Sequence, residues 1–167
     1  MIRPRNSLIG TAIALLSVAV VLGQSSGSAA QAGAQAEALS DAARKGDAAA
    51  VKKLLDEGVD VNTKFRYNAT ALSYAADRGH VDVVKLLIER GADVNIKDTF
   101  YNATPLTWAV NPAMERKPQH VEVVRLLLAK GGIPADALSN ALAAATQSKQ
   151  EEMIALLKAA GAKPKDK

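Results

Sequence analysis

The chain has 167 residues, of which 49% are apolar, 23% charged, 4% aromatic and none cysteine. That balance describes one alanine-rich, helix-forming domain and excludes a collagen, a mucin, a coiled-coil rod and a disulfide scaffold. Lys and Arg exceed Asp and Glu by four, or by two once Arg3 and Arg5 are set aside with the N-terminal segment, which is too few and too scattered for a nucleic-acid surface.

At the N-terminus, Arg3 and Arg5 precede a run of 15 apolar or weakly polar residues, 8–22, and then a Ser/Gly/Gln stretch ending in Ser28, Ala29 and Ala30. A basic start, a short apolar centre and small residues after it form the layout of a secretory signal. The run is shorter than the roughly 20 residues of a stable membrane span. Cleavage after Ala30 suits the small residues at 28 and 30, with Ala32 and Ala36 as alternatives; an uncleaved segment would act as an N-terminal anchor. Residues 1–30 are thus expected to be a signal peptide or membrane anchor and 31–37 a linker. Either form puts the domain outside the cytoplasm, periplasmic or secreted, with the inner membrane as the site of any anchor.

From residue 38 onward the chain repeats itself. Gly46 and Gly79, Gly58 and Gly91, and Asn62 and Asn95 are each 33 residues apart. The segment 67–72 returns at 101–106 with a shift of 34, and 80–87 returns at 120–127 with a shift of 40, so about six residues are inserted between Val110 and His120. Each unit reads as a short helix, a turn, a longer helix and a glycine-ended loop. Thr70 and Thr104 suit the caps of the first helices, and Pro105 suits a first helical position, where its missing donor is not needed. Leu72, Ala75 and Ala76 fall on one face of the first helix. Gly79 ends it in a left-handed turn, and Val83, Val84, Leu86, Leu87 and Ile88 give the second helix a wide apolar face.

The residues Thr104-Pro105-Leu106, Gly79-His80, Val83 to Leu87 and Gly91 to Asn95 closely resemble the ankyrin repeat. The resemblance implies an all-α solenoid of stacked helix-turn-helix units with short hairpin loops. It covers 38–163 as four units, about 38–64, 65–97, 98–134 and 135–163, with 164–167 a disordered tail. The first unit lacks an N-terminal hairpin and the fourth is a cap. Where the family has a histidine after Thr-Pro-Leu, this chain has Ser73 and Thr107, expected to bond the neighbouring loop. Asn68 and Asn102 replace the hairpin glycine and suit a left-handed turn. Gln119 stands where Gly79 stands one unit earlier, so 111–119 is expected to be a protruding loop or a lengthened helix.

Members of that family are overwhelmingly adaptors and inhibitors, so the resemblance implies a non-catalytic protein-binding role through hairpin tips and inner helices. Of the six aromatic residues, Phe65, Tyr67, Phe100 and Tyr101 lie in the hairpins and Tyr74 and Trp108 at equivalent inner-helix positions. All six map to the expected concave side. The predicted contact surface is Phe65, Arg66, Tyr67, Tyr74, Asp77, Arg78, Phe100, Tyr101 and Trp108. Against it stands a packing role, with one ring of each hairpin laid on its neighbour and Trp108 partly buried between units. The partner is another protein, the binder being either an adaptor or scaffold, or an inhibitor that occludes an exported toxin or hydrolase.

Other chemistry is not suggested. His80 and His120 belong to the Gly-His turn and are expected to be structural. Asp56 with Glu57, and Glu151 with Glu152, are helix neighbours that point apart. No metal-ligand spacing, cofactor motif or phosphate loop is present in the sequence. The sequons at Asn68 and Asn102 are explained by turn and cap chemistry, with no sugar expected. Asp41, Arg44, Lys45, Gln147, Lys149 and Glu151 make the end units polar, which favours a monomer.

Overall fold

The computed structural model describes residues 25–111 and 117–164. Contacts divide the chain into 1–34 and 35–167. Of the first unit the described residues, 25–34, form the start of a helix. The predicted signal run 8–22, most of the insert at 111–119 and the last three residues of the tail lie outside the described residues.

Among the described residues there are eight α-helices: α1 (Ser25–Lys45), α2 (Ala48–Asp56), α3 (Ala71–Arg78), α4 (Val81–Glu89), α5 (Pro105–Val110), α6 (Gln119–Lys130), α7 (Ala135–Gln147) and α8 (Glu151–Ala159). No strand occurs among the described residues. The linker expected at 31–37 is helical: α1 runs through it, built of Ala, Gln and Glu, which are good helix formers. Residues 30–34 are exposed, and Leu39 is fully buried.

Side-chain caps set the starts of α2, α3 and α5. Asp47 accepts the Ala50 N–H at 2.9 Å, Thr70 that of Ser73 at 3.2 Å and Thr104 that of Thr107 at 3.3 Å, each satisfying a donor the first helical turn leaves orphaned. Ser73 departs from the expected loop contact. Its hydroxyl donates to the Thr70 carbonyl at 2.8 Å and accepts the Thr70 N–H at 2.8 Å, closing a reciprocal cap on its own helix. Thr107 likewise turns to its own cap, with its hydroxyl 3.2 Å from that of Thr104. Gly79 ends α3 at φ 72°, and Pro105 opens α5.

Helices α3, α5 and α7 pack in one row and α2, α4, α6 and α8 in another, with α3 against α4, α5 against α6 and α7 against α8. One continuous apolar cluster runs between the rows from Leu39 to Ala162. Such a unit cannot bury its apolar face alone, so stability comes from stacking.

Three side chains repeat a single cross-unit bond. The ring Nε2 of His80 lies 3.0 Å from the Arg44 carbonyl, that of His120 lies 3.0 Å from the Asp77 carbonyl, and the Gln150 amide donates to the Val110 carbonyl at 3.0 Å. The three acceptors sit in the last turns of α1, α3 and α5, where helical carbonyls lack partners. The closeness of the rings also explains two glycines. A Cβ on Gly46 would lie 2.6 Å from the His80 ring, and one on Gly79 would lie 3.0 Å from that of His120.

The loops after the even-numbered helices are tied in the same manner. Asn62 accepts the Asp93 N–H at 2.8 Å, and the Asn95 amide donates to the Gly132 carbonyl at 2.9 Å. On the surface Arg90 pairs with Asp56 at 2.8 Å, and a hydrogen bond from Lys52, with Arg90 adding to it, holds the Asp56 carboxyl below its ordinary range.

Where Gln119 replaces a glycine, the left-handed stop is lost and α6 extends to 12 residues against 9 for α4. The fourth unit enters α7 directly from Pro134, which is extended at φ −62° and ψ 149°.

Candidate functional site

Two hairpins precede α3 and α5. In the first, the Phe65 N–H donates to the Ala69 carbonyl at 2.8 Å and the Asn68 N–H to the Phe65 carbonyl at 3.0 Å. Both Tyr67 and Asn68 are left-handed, at φ 58° and 60°. Asparagine suits that region; a tyrosine there carries about 1 to 2 kcal/mol of backbone strain. In the second hairpin the Asp98 N–H donates to the Ala103 carbonyl at 3.0 Å, and Asn102 takes the left-handed position at φ 54°. The Thr99 N–H donates to the Tyr67 carbonyl at 2.8 Å, and the Asn68 amide to the Lys97 carbonyl at 2.9 Å, so the hairpins are stitched together.

Asp98 organises the second hairpin. Its Oδ1 accepts the N–H groups of Phe100 at 2.8 Å and Tyr101 at 2.6 Å; its Oδ2 accepts the Ala103 N–H at 3.1 Å and the Trp108 indole N–H at 3.0 Å. Both oxygens act only as acceptors, the arrangement of a carboxylate. One unit earlier the corresponding residue is Lys64, exposed, so the first hairpin has no such anchor.

The rings form two groups. Phe65 stacks on Tyr74 with centroids 5.9 Å apart and planes at 18°, and the Arg44 guanidinium lies 4.0 Å from the Tyr74 centroid. Tyr67, Phe100, Tyr101 and Trp108 follow one another at 5.3, 4.6 and 5.5 Å, mostly edge to face, the geometry aromatic quadrupoles favour. Arg66 lies 4.8 Å over the Tyr67 ring and donates to its hydroxyl at 2.9 Å.

Between these groups is a cavity of about 300 Å³. Seven of the nine predicted residues line it: Arg66, Tyr67, Tyr74, Asp77, Phe100, Tyr101 and Trp108. Phe65 is set behind Tyr74 and packs against the core, and Arg78 lines a separate depression beside Gly46 and His80 while its Nε lies 3.4 Å from Asp77. The six rings do not share one exposure. Tyr67, Phe100 and Tyr101 are 48%, 61% and 67% exposed, whereas Phe65, Tyr74 and Trp108 are half-buried. Packing and presentation therefore divide the set between them.

Two contributors escape the sequence reading. Asp98 also lines the cavity, and its signal lay in a mismatch, an acid where the previous unit has Lys64. Arg44 belongs to the first unit, and its place over Tyr74 follows only once the units are stacked. Among the described residues no group of three or more His, Asp or Glu could hold a metal ion, and no helix is long and apolar enough to cross a membrane.

Comparison with curated proteins finds no match. The family model for ankyrin repeats, in three copies, matches two overlapping stretches, 17–98 and 39–134, together well over half of the chain. Ankyrin repeats are generally non-catalytic protein-protein interaction modules, which agrees with a stacked scaffold that offers rings on two hairpins. By motif, by helix order and by this match, the chain belongs to the ankyrin-repeat family.

Proposed function

We propose that this protein is an exported, non-catalytic adaptor or scaffold that binds another protein through the ring-lined cavity and the hairpin tips beside it, in the periplasm or outside the cell. The observation that carries the binding surface is the exposure of Tyr67, Phe100 and Tyr101, the large apolar side chains left open among the described residues, around a cavity walled by Tyr74 and Trp108. Aromatic side chains at the centre of an interface contribute roughly 2 kcal/mol or more each when desolvated, so a few such rings suffice for a specific complex. Export is supported by the basic start, short apolar run and small residues of 1–30.

The full-length chain, tagged at its C-terminus and expressed in its host, provides the test. Fractionation should place it in the envelope or the medium, and mass spectrometry of the purified protein should find Gln31 as the first residue if cleavage follows Ala30. Capture from the envelope fraction should recover a protein that a Tyr67→Ala, Tyr101→Ala, Trp108→Ala triple variant does not. Equal recovery by both baits, or a cytosolic chain beginning at Met1, would overturn the corresponding half of this reading.

A further inference from the structure

We propose that the first hairpin receives a carboxylate of the protein partner, from an Asp or Glu side chain, on the backbone N–H groups of Arg66 and Tyr67, an inference that rests on the hairpin tips being a protein-binding surface. The second hairpin is the template. There a single oxygen of the Asp98 carboxylate accepts the N–H groups of Phe100 and Tyr101 at 2.8 and 2.6 Å. The 34-residue shift that relates the hairpins sets Lys64 against Asp98, Arg66 against Phe100 and Tyr67 against Tyr101. In the first hairpin the N–H groups of Phe65, Asn68 and Ala69 donate to the carbonyls of Ala69, Phe65 and Arg66. Those of Arg66 and Tyr67 have no acceptor among the described residues, because the residue that would supply it is a lysine.

Charge selects the occupant. The segment 64–69 carries Lys64 and Arg66, both exposed, and no acid. A carboxylate laid there takes two charge-assisted bonds from the backbone, each roughly twice as strong as a neutral one, and is attracted by both side chains. Arg66 directs one donor to the Tyr67 hydroxyl at 2.9 Å, and a guanidinium has others to offer. Asp77, which lines the cavity alongside Arg66, is itself engaged, with the Arg78 Nε 3.4 Å away. A lysine or arginine from the partner would meet two like charges and N–H groups from which it cannot accept. A neutral amide could accept the same two bonds, but without the charge that strengthens them. The partner's acid thus completes in the first hairpin what Asp98 does in the second, beside the exposed rings of Tyr67, Phe100 and Tyr101.

The backbone amide resonances of Arg66 and Tyr67 in the full chain report on this site, and those of Phe100 and Tyr101, already held by Asp98, serve as the reference. N-acetyl-glutamic acid α-amide should move the first pair downfield saturably, at concentrations on the order of 10 mM for so small a probe, and leave the second pair in place. The neutral glutamine analogue should bind at least about tenfold more weakly, the lysine analogue should not bind, and added salt should weaken the glutamate probe. Position 64 is exposed, so substitution there does not put folding at stake. Lys64→Gln should reduce probe binding about threefold. Lys64→Asp should supply the carboxylate from within the chain: the Arg66 and Tyr67 amides should move downfield with no probe present, and probe binding should fall at least about tenfold. Glutamine binding as well as glutamate, no saturation, Phe100 and Tyr101 moving as far as the first pair, or undiminished binding by Lys64→Asp would each overturn the proposal. Its failure is separable from that of the wider reading. If the wild type captures a partner that the triple ring variant loses while Lys64→Asp captures it undiminished, the binding surface stands and the carboxylate does not.

Discussion

The carboxylate of Asp98, 5% exposed, gathers three backbone N–H groups and the indole of Trp108. Removing it leaves four donors in a site with little water, and a buried donor without a partner costs about 1 to 3 kcal/mol. Asp98→Ala is therefore expected to lower unfolding stability by about 3 kcal/mol or more. Asp98→Asn keeps one acceptor oxygen and should cost about half as much. Urea titration followed by Trp108 fluorescence measures both; equal and negligible effects would show that water replaces the carboxylate without penalty. This residue also marks where the sequence was hard to read. Matching positions expose a repeat, and they led to the rings, the caps and the left-handed asparagines. Lys64 and Asp98 do not match, so the residue that fixes Phe100, Tyr101 and Trp108 in place was passed over for the rings themselves.

Between units, a shared geometry matters more than a shared residue type. His80, His120 and Gln150 make the same bond to the carbonyl at the end of the preceding unit's first helix, and the two histidines were legible from the Gly-His turn whereas Gln150 was not. The glutamine serves less well, because its Oε1 is buried without a partner. Gln150→His should therefore stabilise the protein by about 1 kcal/mol, the worth of relieving one orphaned polar atom; a thermal midpoint that stays put or falls would contradict this. The glycines give a paired comparison. Gly46 and Gly58 both have positive φ, 77° and 92°, but an added Cβ meets the His80 ring at 2.6 Å in the first case and nothing within 4 Å in the second. Gly58→Ala should cost about 1 to 2 kcal/mol for the backbone alone, and Gly46→Ala about 1 to 3 kcal/mol beyond that for the overpacked ring. Equal losses in denaturant titrations would mean that His80 swings aside freely. The segment expected as a linker, 31–37, lies within α1: its small and polar residues resemble a linker in composition, yet Ala, Gln and Glu are also what an exposed helix is made of.

At the scale of the whole stack, the repeat period was enough to give the order of units and the side each helix buries, since a 33-residue recurrence admits only neighbours leaning on neighbours. What the period does not encode is the ends, where a unit has a partner on one side and must be closed by its own chemistry. The fourth unit does this with α7 and α8, which bury Ala141, Leu142, Ala145, Met153 and Leu157 against the rest and connect through the Gln150 bond to Val110. A large apolar side chain is worth roughly 1.5 to 3 kcal/mol when fully buried, so a chain ending at residue 134 forfeits the burial of Leu142, Met153 and Leu157 and is expected to lose about 5 kcal/mol or more. That is a large share of the 5 to 15 kcal/mol by which folded domains exceed their unfolded chains. Because α7 packs on α5, the helix that holds Trp108, the loss should reach the cavity. Truncation is expected to broaden the Trp108 indole resonance and weaken partner binding, even though no residue of the fourth unit lines the cavity. The full chain should unfold in one urea transition by both far-ultraviolet dichroism and Trp108 fluorescence, and the truncated chain at a lower midpoint. If the truncated chain kept the same midpoint and the same sharp indole signal, the fourth unit would be an appendage and the core from Leu39 to Ala162 would not be energetically continuous.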